Sequence, residues 1–198
     1  MIYNYESKVL HVKIIYYGPA LSGKTESIKS LLSHFNKEEE LTSIDTTYGR
    51  TMFFDFGTLH FKGKEWSMKF EIYSTTGQDF YLHTRPTVLK GVDGIIFVLD
   101  SRKSRLAYNE KSWNELNTIL GEAIYDIPLV FACNKDDTNV SEKLDVKEFL
   151  DNINSNKIKN FSTIKTVAIN GTGILESFQN VVNLIFPEVR INLSNKLI

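Results

Sequence analysis

Cysteine is nearly absent from this chain: Cys133 is the single thiol among 198 residues. One thiol builds no disulfide framework and no cysteine zinc site, so a reducing, cytoplasmic setting is expected. Cys133 itself reads as a small buried hydrophobe. Long apolar runs are missing too, and no stretch approaches the roughly 20 residues that span a bilayer. Residues 1–6 have neither a basic n-region nor an apolar h-region, Ile2 stands where myristoylation needs glycine, and 194–198 hold no prenylatable cysteine. The expectation is a chain without a membrane anchor of its own, reaching membranes through partners. Charge of one sign is also lacking. With 23 basic and 24 acidic residues the net charge is -1, which gives no electrostatic push toward nucleic acid. His11, His34, His60 and His83 show no metal-ligand spacing.

What is present is an ordinary globular composition, 42% hydrophobic and 24% charged, in a length that suits one domain with a real core. Strand-like and helix-like segments alternate, the pattern of an α/β fold with a mostly parallel sheet. Residues 9–17 read as the first strand. Residues 24–35 read as a helix with Ile28, Leu31, Leu32 and Phe35 on one face. Residues 52–61 and 66–73 read as strands joined into a hairpin through Lys62-Gly63-Lys64-Glu65. Their aromatics, Phe53, Phe54, Phe56, Phe61, Trp66, Phe70 and Tyr73, alternate as core and one exposed face. Continuous apolar runs at 94–100 and 129–133 read as central strands covered on both faces. Helices are predicted over 111–124, 146–153 and 175–185, and a last strand over 164–168. Residues 36–49 are polar and read as a loop. Pro187 stops the final helix and leaves 187–198 as a short tail, either loose or packed back.

Between the first strand and the first helix, Gly18-Pro19-Ala20-Leu21-Ser22-Gly23-Lys24-Thr25 fits G-x-x-x-x-G-K-[ST]. A triphosphate needs a loop whose backbone N–H groups point inward, and the following helix N-terminus adds a favourable dipole. Lys24 is expected to reach the β- and γ-phosphates, and the Thr25 hydroxyl to ligate Mg²⁺. A chance Gly-Lys-Thr turn is the bland alternative, and the strand-to-helix context outweighs it. The base is chosen elsewhere. Asn134-Lys135-Asp136-Asp137 follows a buried strand and matches N-K-x-D. A buried Asp137 carboxylate accepts two hydrogen bonds from guanine that adenine does not offer, while Asn134 and Lys135 brace the pocket and the P-loop. Ser74-Thr75-Thr76-Gly77-Gln78 resembles D-x-x-G-Q. There the Gly77 N–H would meet the γ-phosphate and Gln78 would orient the attacking water. Ser74 replaces the usual Asp and supplies no charge, which lowers the expected affinity for Mg²⁺. Taken alone, this segment also reads as a Thr/Gly turn.

The strings YYGPALSGKT, GRTMFFDF, STTGQ, LKGVDGIIFVLDS and NKDD span most of the chain. They resemble those of the MglA-type bacterial and archaeal GTPases, relatives of the Ras and Arf group. The resemblance implies a P-loop GTPase (Ras-like) fold, with a mostly parallel central sheet, one antiparallel edge hairpin and helices on both faces, in a single domain 1–198. It implies that a small hydroxyl residue at Ser74 is a family mark. It makes Thr51 the first-switch threonine that senses the γ-phosphate and Mg²⁺, and Arg50 an arginine supplied in cis to neutralise the transferring phosphoryl group. From the residues alone, without the P-loop, Arg50-Thr51 reads rather as a solvated loop end. The resemblance further implies a roadblock-fold dimer as activating partner, a role in polarity or motility, and a strand-register change before the hairpin on activation. Two departures stand out. Ala20 occupies a position where many relatives carry glycine, which implies slower hydrolysis. The base loop 167–171 matches the family's S-A-K type motif only at Ala168 and Gly171, with the Ala168 N–H expected on guanine O6.

The expectation is a small GTPase that binds GTP/GDP with Mg²⁺, hydrolyses GTP slowly and acts as a molecular switch read by effectors. A GTP-binding scaffold without hydrolysis is the alternative that Ser74 and Ala20 favour. An ATP-dependent P-loop enzyme is disfavoured by the N-K-x-D motif.

Overall fold

The computed structural model describes residues 1–45, 51–75, 85–139 and 142–188, and of residues 43–45 and 51–53 it describes the backbone. In chain order the strands are β1 (Ile2–Asn4), β2 (Val9–Tyr17), β3 (Thr42–Asp45), β4 (Thr51–Phe61), β5 (Ser67–Ser74), β6 (Gly94–Asp100), β7 (Leu129–Asn134) and β8 (Phe161–Thr166). Across the sheet they run β3-β4-β5-β2-β6-β7-β8, with β1 also on β2. The β5-β2-β6-β7-β8 neighbours are parallel, whereas β3-β4, β4-β5 and β1-β2 are antiparallel.

Parallel neighbours need crossovers, and the crossover helices cover the faces. These are α1 (Lys24–His34), α2 (Arg85–Leu89), α3 (Leu106–Leu120), α4 (Val146–Asn152) and α5 (Ile174–Ile185). The core divides by sheet face. Ile28 and Leu32 of α1 and Phe178 and Val182 of α5 pack with Val12, Ile14 and Ile96. Trp113 and Leu116 of α3 and Phe149 of α4 pack with Ile15, Phe97 and Phe131 on the other side. Strands β6 and β7 are buried at every position, as their unbroken apolar runs require. The expected α/β class, with a mostly parallel sheet, an antiparallel edge and helices on both faces, is borne out.

The sequence expectation lacks β1 and α2, so Val9–Tyr17 is the second strand rather than the first, and beyond shifts of a residue three further assignments differ. The stretch read as a loop over 36–49 contains β3, which pairs with β4 at Thr42–Phe56 and adds a further antiparallel strand to the edge hairpin. Four mostly polar residues carry too short a period to signal a strand, and the pairing supplies what the pattern lacks. Helix α3 starts at Leu106 rather than 111, and its α-winding stops at Gly121 (φ 56), after which Gly121–Tyr125 winds as a 3₁₀ turn. The last strand is Phe161–Thr166, set by Phe161 pairing with Leu129, and Ala168 lies past it in a 3₁₀ turn.

The parallel strands point their C-terminal ends in one direction. Tyr17, Ser74, Asp100 and Asn134 end β2, β5, β6 and β7 on that edge, where open α/β sheets hold ligands. Phe178 is fully buried, its ring 5.3 Å from that of Phe70. Phe178→Ala is expected to lower stability by about 3–5 kcal/mol, read as a lower urea midpoint with an unchanged slope.

Candidate functional site

The P-loop path depends on two glycines. Gly18 (φ 141) and Gly23 (φ 103) lie in the left-handed half of backbone space. A Cβ at Gly18 would stand 2.4 Å from the Val98 carbonyl oxygen, and one at Gly23 would stand 2.2 Å from Asn134 Nδ2. The loop is therefore pressed against β6 and β7 with no room for a side chain at either point. Ser22 is buried between the glycines, while Ala20 and Leu21 are exposed. At the head of α1 the buried Lys24 ammonium donates to the Gly18 and Pro19 carbonyls, at 2.9 and 2.8 Å. Burial, and after it the Arg85 guanidinium, push the Lys24 ammonium down to about 7, against the pull of Asp55 and Glu115. An anionic ligand in this loop would meet a cation held by backbone and released from its own carbonyls by stronger acceptors.

Beside Lys24 lies a group that the sequence expectation missed. Asp55 on β4 is fully buried. Its Oδ2 accepts from the Thr25 hydroxyl at 2.6 Å and from the Ser74 hydroxyl at 2.5 Å, and its own N–H donates to Ser74 Oγ at 3.2 Å. The register explains the meeting. Phe56 pairs with Tyr73 across the antiparallel β4-β5 ladder, so Asp55 falls opposite Ser74 one step on. Tyr16 pairs with Ser74 across β2-β5, which brings both to the root of the P-loop. The charge that Ser74 does not supply is thus supplied by Asp55 from the next strand. A lone carboxylate inside the aromatic run Phe53-Phe54-Asp55-Phe56 was the available signal, because a charge in a buried strand needs partners.

The base side is built on β7. Asn134, 2% exposed, donates from Nδ2 to the Ser22 carbonyl at 2.8 Å. Its Oδ1 accepts from the Ala168 N–H at 2.9 Å and from Thr166 Oγ1 at 3.3 Å. Lys135, itself left-handed (φ 65), turns its ammonium back to the Leu21 carbonyl and to Asp100 Oδ2, each at 2.7 Å. Arg102 grips the same carboxylate from Nε at 2.9 Å and from Nη2 at 2.6 Å. Burial would raise the Asp100 pKa, but the hydrogen bonds from Arg102 and Lys135 outweigh it and hold the carboxyl below its ordinary value. Asp136 fixes the turn, its N–H on the Thr166 carbonyl and its carboxylate on Lys143.

Two sequence expectations are corrected here. Asp137 is exposed rather than buried. The Ala168 N–H is taken by Asn134, which closes the loop on β7 instead of leaving that donor open for guanine O6. Arg50, Gly77 and Gln78 lie outside the described residues. Thr51 opens β4 with its backbone paired to Asp45, and its side chain is outside the description. Among the described residues no cluster of three or more His, Cys, Asp or Glu is placed to hold a metal by itself. The donor set at Thr25, Asp55 and Ser74 consists of hard oxygens, which suits Mg²⁺ shared with phosphate rather than a closed protein cage.

A phosphate-cradling loop, a clamped N-K-x-D strand end and a parallel sheet with this strand order define a P-loop nucleotide-binding protein. The Ras family model matches residues 13–186. The chain belongs to the Ras family of small GTPases. It is of the MglA type: it is 34% identical over 193 residues to the mutual gliding-motility protein MglA of Myxococcus xanthus (strain DK1622), covering 94% of this chain and 96% of that protein. The Ras-related protein Rab-11C of Dictyostelium discoideum is 27% identical over 174 residues, covering 88% and 72%. Among solved structures, the Arl6 (BBS3) small GTPase of Trypanosoma brucei, with the bound nucleotide analogue GppNp, superposes with a TM-score of 0.65. At 19% identity, over 91% of this chain and 100% of that one, it shares the fold.

Asp100→Asn removes the charge that holds Lys135 over the P-loop. A charge-assisted hydrogen bond contributes about 1.5–3 kcal/mol, so dissociation of a fluorescent GDP analogue is expected to accelerate about tenfold or more.

Proposed function

We propose that this chain binds GTP and GDP together with Mg²⁺, hydrolyses GTP slowly, and works as a switch whose two states partners read through the segments around Thr51 and Gln78. The observation that supports this most is the meeting of Thr25 and Ser74 on the buried Asp55, next to the loop that seats Lys24. It supplies a carboxylate where the D-x-x-G-Q pattern lacks one. In this reading the backbone of Gly18, Ala20, Leu21, Ser22 and Gly23 cradles the phosphates, and Lys24 spans the β- and γ-phosphates. Thr25 and Thr51 would hold Mg²⁺ through their hydroxyls, with the Asp55 carboxylate beside Thr25 adding charge, and the ion would supply charge neutralisation on the phosphates.

Gly77 donates to the γ-phosphate, Gln78 orients the attacking water and Arg50 neutralises the transferring group in cis. Asp137 pairs with the guanine edge, Lys135 covers one face of the base, and Ala168 frames the O6 side through its bond to Asn134. Slow intrinsic turnover follows from the alignment that Gln78 and Arg50 require and from the methyl of Ala20. An activating partner of the roadblock-dimer type and a motility- or polarity-related role are carried from the MglA resemblance, and a cytoplasmic setting from the single thiol, Cys133. Among the described residues no helix is long and apolar enough to cross a membrane.

The scaffold alternative rested on Ser74 and Ala20. Asp55 removes the first of these reasons, because the site retains a carboxylate, and leaves Ala20. Single-turnover hydrolysis of radiolabelled GTP separates the two. Gln78→Leu is expected to cut turnover at least tenfold while GTP still binds and ADP fails to compete. Wild-type protein that binds GTP and never turns it over would establish the scaffold instead.

Asp55→Asn is expected to move the Mg²⁺ concentration that half-protects bound GDP from release upward by about tenfold, the scale of a lost charge-assisted contact. An unshifted Mg²⁺ titration would remove Asp55 from the metal site.

A further inference from the structure

Arg85 is the first residue of α2 and stands seven residues after Gln78 in the sequence. It is 3% exposed, an unusual burial for a guanidinium. Its Nη1 donates to Glu115 Oε1 on α3, and the fully buried Tyr17, last residue of β2, donates its hydroxyl to the same oxygen at 2.7 Å. The guanidinium carbon stands 5.8 Å from the centre of the Tyr17 ring. Tyr17 immediately precedes Gly18, so one carboxylate oxygen joins α2, α3 and the root of the P-loop. Lys24 feels both charges, the Arg85 cation pushing its ammonium down and Glu115 pulling it up.

Stability alone does not account for such a group. A buried ion pair is commonly no more stabilising than an apolar pair of equal volume, since desolvation offsets the attraction. What it adds is direction: a planar guanidinium fork with one N–H aimed at a carboxylate oxygen shared with Tyr17 has few acceptable poses, whereas aliphatic side chains slide. Val88 and Leu89 give α2 its apolar burial, and the ion pair gives it a register.

We propose that Arg85, through Glu115 and Tyr17, is a positioning residue for GTP hydrolysis that fixes the placement of α2 against α3 and the P-loop root. This rests on the GTPase reading above, and wild-type turnover tests that reading separately. The double variant Arg85→Met/Glu115→Leu replaces the pair with apolar side chains. Its thermal midpoint is expected to hold or rise and its GDP dissociation rate to stay within about twofold, while single-turnover GTP hydrolysis falls at least tenfold. Arg85→Lys keeps the charge without the fork, and an intermediate rate is expected. Tyr17→Phe removes one hydroxyl and serves if the double variant does not fold; a loss of about threefold in turnover is expected, with GDP release unchanged. A folded double variant, or failing that Tyr17→Phe, that hydrolyses GTP at the wild-type rate overturns the proposal. So does a loss of hydrolysis matched by an equal loss of GDP binding, which would mark a merely structural role.

Discussion

The Asn134 carboxamide uses both of its ends. Nδ2 reaches into the P-loop at Ser22, while Oδ1 holds the Thr166 and Ala168 positions of the base loop. Two segments distant in sequence, at Ser22 and at 166–168, are thereby tied to the end of one buried strand. The tie works because Gly23 has no side chain: a Cβ there would occupy the place of Nδ2. Buried polar networks of this kind cost little when every member is satisfied and a great deal when one is not. The site is consequently assembled as a unit, and Lys135 extends it by reaching from the next residue to Leu21 and Asp100.

A second regularity concerns where the charges sit. Asp55, Asp100 and Glu115 each serve at least two donors from different elements, and each lies near the C-terminal edge of the parallel sheet. Carboxylates in such places orient hydroxyls and cations around a phosphate-binding loop whose own backbone donates to anions. The same charges link the loop to the helices behind it, so the site and the packing of α2 and α3 share residues.

Much of the fold was legible before the structure. The runs at 94–100 and 129–133 announced central strands, because continuous apolar sequence has no other use in a short segment bounded by polar turns. The P-loop lay where strand met helix. The segments that escaped were those whose identity is decided by a partner. Strand β3 is four residues that become a strand by pairing with β4. The last strand slid to Phe161–Thr166 because its register follows Leu129–Asn134 on the neighbouring strand rather than its own hydrophobicity.

Gly18, Gly23, Lys24 and Thr25 were legible from the sequence alone because the P-loop spacing is local. Asn134 and Lys135 were legible as the N-K-x-D string, although their partners Ser22, Ala168, Leu21 and Asp100 lie far along the chain. Asp55, the ownership of the Ala168 N–H and the Arg85–Glu115–Tyr17 junction were decided by the tertiary structure. In each case the partner lies on another element, and no spacing along the chain encodes which residue of a neighbouring strand or helix will stand opposite. Ser74 shows the difference most clearly. Read along the chain it is a missing charge, and read across the sheet it is a hydroxyl bonded to one.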